Sequence, residues 1–349
     1  MNINIYLVVI YHDPMRSFSI IIPFKTGKHY LSACIESVLA QTYSNFQIIV
    51  LTDHTSNDDG SIDYIYALNN PQIEVVTDKG TLNILENWSR ILTASHCEYM
   101  TILGYDDILH PNFLATINHL IDEHPEASLY HTHFDYIDSN GKVLSKCKPL
   151  PIKLNSVDYV SMALKDQISI MATGYVFKTA DYIKIGGIDT HYPNLIYADL
   201  QLWIDLMELK YLATSPDTCF NFRLHASTTK TSKDKILLDA LMVFISYLKK
   251  LTIKSSNYKQ VINENAGPFL EQTTKSIAHR LLRTPVKYRQ GLTINEIVNN
   301  LSIKANELGV NYNPYAISSF KMAIMIEKSK LLSWLFLQFK RLYSKPIYQ

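Results

Sequence analysis

The sequence predicts an α/β protein: a mixed, mostly parallel sheet flanked by helices, followed by an α-helical C-terminal extension. Three observations predict it. Short apolar runs end in polar or acidic residues, these runs alternate with segments of helical spacing, and beyond residue 231 only helical patterns remain.

The first run, Phe18-Ser19-Ile20-Ile21-Ile22-Pro23-Phe24, reads as a buried strand closed by proline. Residues 30–41 then place Leu31, Cys34, Ile35, Val38 and Leu39 at helical spacing. A second strand, residues 46–51, enters the polar cluster that starts at Asp53. Strand, helix and strand joined by short connections imply parallel pairing with a right-handed crossover. Residues 73–76 form a third short strand, and residues 83–94 a helix with Ile84, Trp88, Ile91 and Leu92 inward. The apolar run Met100-Thr101-Ile102-Leu103 stops at the adjacent acids Asp106 and Asp107. At the carboxyl edge of a sheet such a pair sits where open α/β folds bind ligands. Two neighbouring carboxylates repel, so a cation or hydrogen-bonded ligand would suit them. The same acids before Ile108-Leu109 also suit a helix or turn start. A helix over 111–124, a strand over 128–137, a loop and helix over 145–170, a strand over 174–177, a Gly186-Gly187-Ile188-Asp189 turn and a helix over 199–209 complete this part. His131 and His133 share a strand face without a third ligand nearby, a pattern of ordinary histidines rather than a metal site.

With 349 residues and 47% hydrophobic composition the chain can bury a large core, and its length suggests two structural units. The net charge of +1 conceals an asymmetry: residues 231–349 hold 18 Lys+Arg against 7 Asp+Glu, and residues 1–230 hold 15 against 25. A basic helical part on an acidic body points to an anionic membrane surface rather than nucleic acid, for which no module pattern is present. Four scattered cysteines without a CxxC pair fit reduced thiols in a cytosol and argue against zinc. No stretch reaches the roughly 18 apolar residues that span a bilayer. The opening apolar run lacks a basic flank and a cleavage pattern, so residues 1–16 are expected to be an N-terminal extension and not a signal peptide.

Five stretches, in order, resemble the inverting glycosyltransferases of family 2. They are residues 19–23, Glu36-Ser37-Val38-Leu39-Ala40-Gln41-Thr42-Tyr43, the cluster from Asp53, Asp106-Asp107, and Gly186-Gly187-Ile188-Asp189 with Asp199 beyond. The resemblance covers about residues 17–230 and implies a GT-A fold for that domain, with 231–349 as a basic helical region. Asn87-Trp88 is similar to a subgroup of bacterial polysaccharide assembly, which implies O-antigen or capsule synthesis. The implied reaction moves a hexosyl or N-acetylhexosaminyl group from a nucleotide-diphosphate donor, a UDP-sugar first, to a glycan or lipid-linked acceptor.

The resemblance also implies roles. Asp107 and Asp106 would hold Mg²⁺ or Mn²⁺, with Asp107 the direct ligand. Asp53 would bind uracil or ribose, and Pro23, Phe24 and Lys25 would line the base pocket; Asp53 alone also suits a turn. Asp199 matches the general base of a motif usually written Glu-Asp, here Ala198-Asp199, although a helix N-cap uses the same residue type. Asn87, Gly187 and Asp189 would contact donor or acceptor, with Gly187 admitting the ligand close to the backbone. Arg223 and His225 would reach the diphosphate, unless they are ordinary surface-strand residues. Gly104-Tyr105 replaces the commoner Asp-Ser before the acid pair.

Beyond 231 the spacing predicts helices over 234–251, 268–283, 292–308 and 314–328, with breaks at 255–258 and Gly267-Pro268. Residues 328–343 join leucines and aromatics to flanking cations, as in-plane membrane helices do, although a helix packed on its neighbours reads alike. The expected location is cytoplasmic, peripheral on the inner membrane. Two rival functions remain: a nucleotidyltransferase, which needs a better phosphate loop than Phe24-Lys25-Thr26-Gly27-Lys28, and a silent scaffold, for which the lost acid at Ala198 argues.

Overall fold

The computed structural model describes residues 15–55, 59–94, 97–224 and 232–343. Residues 1–14, and with them most of the expected N-terminal extension, lie outside the described residues, as does His225.

The sheet is mixed. Strands β1 (Phe18–Pro23), β2 (Phe46–Asp53), β3 (Ile73–Asp78) and β4 (Tyr99–Ile102) run parallel in the order β3-β2-β1-β4. Register pairs Phe18 with Phe46 and with Tyr99. Every residue of β1 is buried, which is why it reads as an unbroken apolar run and not as an alternating one. Beyond β4 the order continues through β9 (Tyr175–Lys178), β6 (Leu129–Ile137), β10 (Leu212–Arg223) and β5 (Ile108–Leu109). Strand β9 is antiparallel to both β4 and β6, while β6 and β10 are parallel. The short β7 (Val143–Lys146) and β8 (Lys153–Leu154) pair with β6 and β10.

Helix α1 (Lys28–Leu39) buries Leu31, Cys34, Ile35 and Val38, as its spacing predicts. The segment over 83–94 is two short helices, α2 (Ser61–Leu68) being followed by α3 (Ile84–Ser89) and α4 (Ile91–Ala94). Here Asn87 is buried while Trp88 stays partly open. Next come α5 (Phe113–Glu123), α6 (Ser156–Leu164), α7 (Thr179–Lys184) and α8 (Ala198–Met207). His131 and His133 are structural: His131 Nδ1 lies 2.9 Å from the Gly174 carbonyl, and His133 Nε2 accepts from the Leu150 N–H at 3.1 Å.

The C-terminal region is helical: α9 (Asp234–Lys254), α10 (Ser256–Arg283), α11 (Ile294–Leu308), α12 (Ser318–Lys328) and α13 (Lys330–Tyr343). The expected break at Gly267-Pro268 is corrected. Helix α10 runs through it with Pro268 inside. An interior proline costs about 3 kcal/mol of helix propensity, but Ile262, Ala266, Leu270 and Ile277 on either side are buried, and their packing outweighs it. No described helix is long and apolar enough to cross a membrane.

Candidate active site

Parallel strands β1, β2 and β4 end along one edge, and a cleft of about 910 Å³ opens there. Pro23, Phe24, Lys25, Asp53, Asn87, Asp106, Asp107, Asp199 and Arg223 all line it. Asp53, Asp107 and Asp199, which the chain spaces far apart, therefore share one cavity. Gly187 and Asp189 do not line it, although Ile188 between them does.

At the β2 end, the Asp53 carboxylate is buried and accepts from Lys25 Nζ, the Leu82 N–H (2.8 Å), the Thr55 N–H (3.0 Å) and the Thr55 hydroxyl (2.8 Å). Lys25 Nζ also reaches Thr55 Oγ1 at 2.6 Å. Asp53 thus shapes the loop after its own strand and fixes an ammonium group at the cleft. Asp53 is a turn residue whose carboxylate also lies at the cleft.

Asn87 lines the cleft and also binds the chain beneath it. Its amide nitrogen donates to the Leu51 carbonyl (3.0 Å) and the Phe24 carbonyl (3.3 Å), and its oxygen accepts from Arg90 Nη1 (3.0 Å). Arg90 in turn binds the carbonyls of Thr52 (2.8 Å) and Val76 (2.7 Å). Together they clamp the ends of β1, β2 and β3, which keeps polar strand ends satisfied beneath the cleft. Sequence reading missed Arg90 because its acceptors are backbone atoms.

The acid pair follows β4. Asp107 is buried, its Oδ2 accepting from the Thr173 hydroxyl at 2.6 Å and its Oδ1 from the Arg223 N–H at 2.8 Å. Burial first, then the charge of Asp106, push its carboxyl well above the ordinary value, and the two hydrogen bonds offset this only partly. Asp106 is more open. Gly104 is needed where it stands: a Cβ there would lie 2.7 Å from Asp107 Oδ2 and 2.9 Å from Asp106 Oδ1. Oxygens of both acids thus converge over a spot that only a glycine leaves open. No group of three or more metal-ligating side chains occurs among the described residues. Two carboxylate oxygens fit a Mg²⁺- or Mn²⁺-type ion that completes its shell with water and phosphate oxygens.

Arg223 is more committed than the expected diphosphate contact implies. Its Nε donates to the Asp106 carbonyl (2.7 Å), its Nη1 to the carbonyls of Asp138 (2.9 Å) and Ser139 (3.2 Å), and the guanidinium lies over the Tyr30 ring at 4.9 Å. It holds β10 against the acid pair.

The Gly186-Gly187 pair closes a helix. Both have left-handed φ (84° and 75°) and end α7, the Gly187 N–H donating to the Tyr182 carbonyl at 2.9 Å. A Cβ on Gly187 would meet Leu92 and the Tyr182 ring at 3.1 Å, so the glycine admits a close approach of protein. Asp189 Oδ1 accepts from the His191 N–H (2.9 Å) and faces His191 Nδ1 (2.7 Å).

Asp199 is the second residue of α8, and its Oδ1 accepts from the Leu200 N–H at 2.8 Å. It is not the N-cap, a position Tyr197 holds without any capping bond. Asp199 keeps a face open to the cleft while protein packs closely around it. That desolvation pushes its carboxyl up to about 6, against which the backbone bonds pull only weakly. The titratable groups that feel its charge are Tyr159, Tyr175, Tyr192 and Tyr197, uncharged at neutral pH. The opposite wall comes from the C-terminal helices, with Phe244 on α9 and Phe269, Gln272, Thr273 and Ser276 on α10.

Residues 19–168 match the family model described as "Glycosyl transferase family 2". This part of the chain is therefore similar to glycosyl transferase family 2. Similar proteins include the glycosyltransferase GlyG of Streptococcus pneumoniae, 27% identical over 124 residues, 35% of this chain. A protein named as an uncharacterized glycosyltransferase of Rickettsia bellii is 24% identical over 292 residues, 80% of this chain. The matched part spans 41% of the length of each of these two relatives. Among solved structures, S. aureus TarS 1–349 in complex with UDP-GlcNAc superposes with a TM-score of 0.62, covering 95% of this chain and 93% of that one at 12% identity. The longer S. aureus TarS structure gives 0.56 over 89% of this chain and 55% of that one, at 11% identity. The fold is GT-A. Asp199 and the C-terminal wall both lie beyond residue 168, outside the matched segment.

Proposed function

We propose that this protein is an inverting glycosyltransferase that moves a hexosyl or N-acetylhexosaminyl group from a nucleotide-diphosphate sugar to a hydroxyl of a glycan or lipid-linked acceptor. The observation that carries the reading is the convergence of Asp53, the Asp106-Asp107 pair and Asp199 on one cleft. Lys25 and Asp53 meet the nucleoside end of the donor. A divalent cation on Asp106 and Asp107 would neutralise charge that develops on the departing diphosphate. Asp199 takes the proton of the acceptor hydroxyl as its oxygen attacks the anomeric carbon. The bond from that carbon to the diphosphate oxygen breaks, and its electron pair leaves with the nucleotide. A base poised near neutrality suits this work, and Asp199 has been brought up to about 6. The acceptor enters beside the α9 and α10 wall, where Phe269, Gln272 and Thr273 offer an apolar ring and polar groups.

The setting proposed is O-antigen or capsule assembly at the cytoplasmic face of the inner membrane, with α13 as the contact. Leu331, Trp334, Leu335, Phe339 and Leu342 of that helix are 48–80% exposed, and Lys330, Lys340 and Arg341 flank them. A nucleotidyltransferase is disfavoured. The Gly27 and Lys28 N–H groups, which a phosphate loop would turn to its ligand, donate to Asp59 Oδ2 at 2.9 Å. The test is hydrolysis of a panel of nucleotide sugars, UDP-GlcNAc first because TarS binds it, with Mn²⁺ and with lipid-linked acceptors. We expect turnover that Asp199→Asn abolishes. No turnover with any donor would favour the silent scaffold, and full turnover in Asp199→Asn would remove the base assignment.

A further inference from the structure

Among the described residues six non-glycine positions have positive φ, and three of them immediately precede Asp199: Asn194 (53°), Leu195 (58°) and Tyr197 (72°). Left-handed backbone is costly for bulky side chains and persists only where the surroundings over-determine it. Local rules give no support at Tyr197, since the N-cap favours Ser, Thr, Asp or Asn and this one makes no capping bond. The support is tertiary. The Tyr197 ring stacks on Phe244 of α9, centroids 5.0 Å apart and planes within 8°. Asn194 Nδ2 donates to Ser232 Oγ at 3.0 Å, just ahead of the same helix. On the other side, Tyr192 OH donates to Gln201 Oε1 at 2.7 Å and pins the first turn of α8.

We propose that the Tyr197–Phe244 stack is the mount that sets the position of Asp199, so that the C-terminal helices complete the catalytic site. This rests on the glycosyltransferase reading for the role of Asp199, but the mount itself can be measured without turnover. Tyr197 and Phe244 are positioning residues. The φ of Tyr197 turns the chain into α8 so that the next residue but one faces the cleft. Without the ring held by α9, the backbone has a lower-energy alternative that carries Asp199 away from its packed surroundings.

The experiment uses the full chain with carboxyl-¹³C aspartate and follows Asp199 and Asp107 by NMR through a pH titration, with thermal unfolding of each variant. Tyr197→Phe keeps the stack, and its Asp199 midpoint should match wild type. Tyr197→Gly has no ring to anchor on α9 and is free to leave this φ, so it should fold while its Asp199 midpoint falls by at least one pH unit. Asp107 should be unchanged. Phe244→Leu, which removes the partner ring and keeps apolar volume, should do the same from the other side. An unchanged or raised Asp199 midpoint in Tyr197→Gly or Phe244→Leu overturns the proposal, as does an equal movement of Asp107, which would indicate general loosening. If Asp199→Asn retains turnover while Tyr197→Gly still shifts Asp199, the mount stands and the base assignment fails.

Discussion

At Asp199 folding and the proposed catalysis make opposite demands on one proton, because burial raises this carboxyl from 3.8 to about 6. The folded protein holds the proton in a range where the unfolded chain has released it. The contribution of this group to stability therefore falls as pH climbs from about 4 to about 6 and is level above that. Asp199→Asn should stabilise the fold at pH 7 by on the order of 1–3 kcal/mol, with no gain below pH 4, as denaturant unfolding at several pH values will show. Turnover should move the other way, rising through about pH 6 as the base ionises and vanishing in the variant. Asp107 behaves differently. Asp107→Ala leaves the Thr173 hydroxyl and the Arg223 N–H without their acceptor, at a cost of about 1–3 kcal/mol. Loss of activity there would mix chemistry with folding. Asp106→Asn is the cleaner probe, since Asp106 is the more open acid; it should weaken Mn²⁺ binding by calorimetry while the melting temperature holds.

Among the elements, the end of α7 and the exposed face of α13 yield separate expectations. Gly187→Ala places a Cβ against Leu92 and Tyr182 at a φ of 75°, and should destabilise the protein by about 1–2 kcal/mol. It should leave nucleotide affinity intact, because the glycine packs on protein and not on the cleft. Helix α13 contacts the body through Phe336, whose ring lies 5.8 Å from His279 of α10, and turns Leu331, Trp334, Leu335 and Leu342 outward. Co-sedimentation with phosphatidylglycerol vesicles should fall at least tenfold in Trp334→Glu combined with Leu335→Glu. It should also weaken with salt, since Lys340 and Arg341 supply the electrostatic part. The reverse case is α10. Gly267-Pro268 reads as a break, yet burial on both sides of it keeps the helix continuous.

For the molecule as a whole, the cleft is a joint product of the GT-A body and the helices after residue 231. Leu237, Phe244, Phe269 and Ile277 close its far side. A chain cut after β10 would expose those contacts on the body and lose the stack on Tyr197. It should be inactive toward nucleotide sugars and prone to aggregate, which size-exclusion chromatography and a hydrolysis assay will reveal together. The acidic body and the basic helices meet through pairs such as Lys254 with Glu208, across the line where the charge asymmetry of the sequence falls.

What the sequence determined by itself was what depends on near neighbours in the chain. The apolar run of β1, the spacing of Leu31, Cys34, Ile35 and Val38 on α1, and acids at strand ends are local patterns, and they are enough to announce the sheet and the family's motifs. Tertiary structure alone decided the partners. Asp107 finds Thr173 across 66 residues and Arg223 across 116, and Asn87 becomes a clamp because backbone carbonyls surround it. Gly187 likewise answers to Tyr182, and Tyr197 to a helix that begins at Asp234. Periodicity records which face of an element is buried. Which groups meet there is set by how distant segments converge, and no local pattern encodes that convergence.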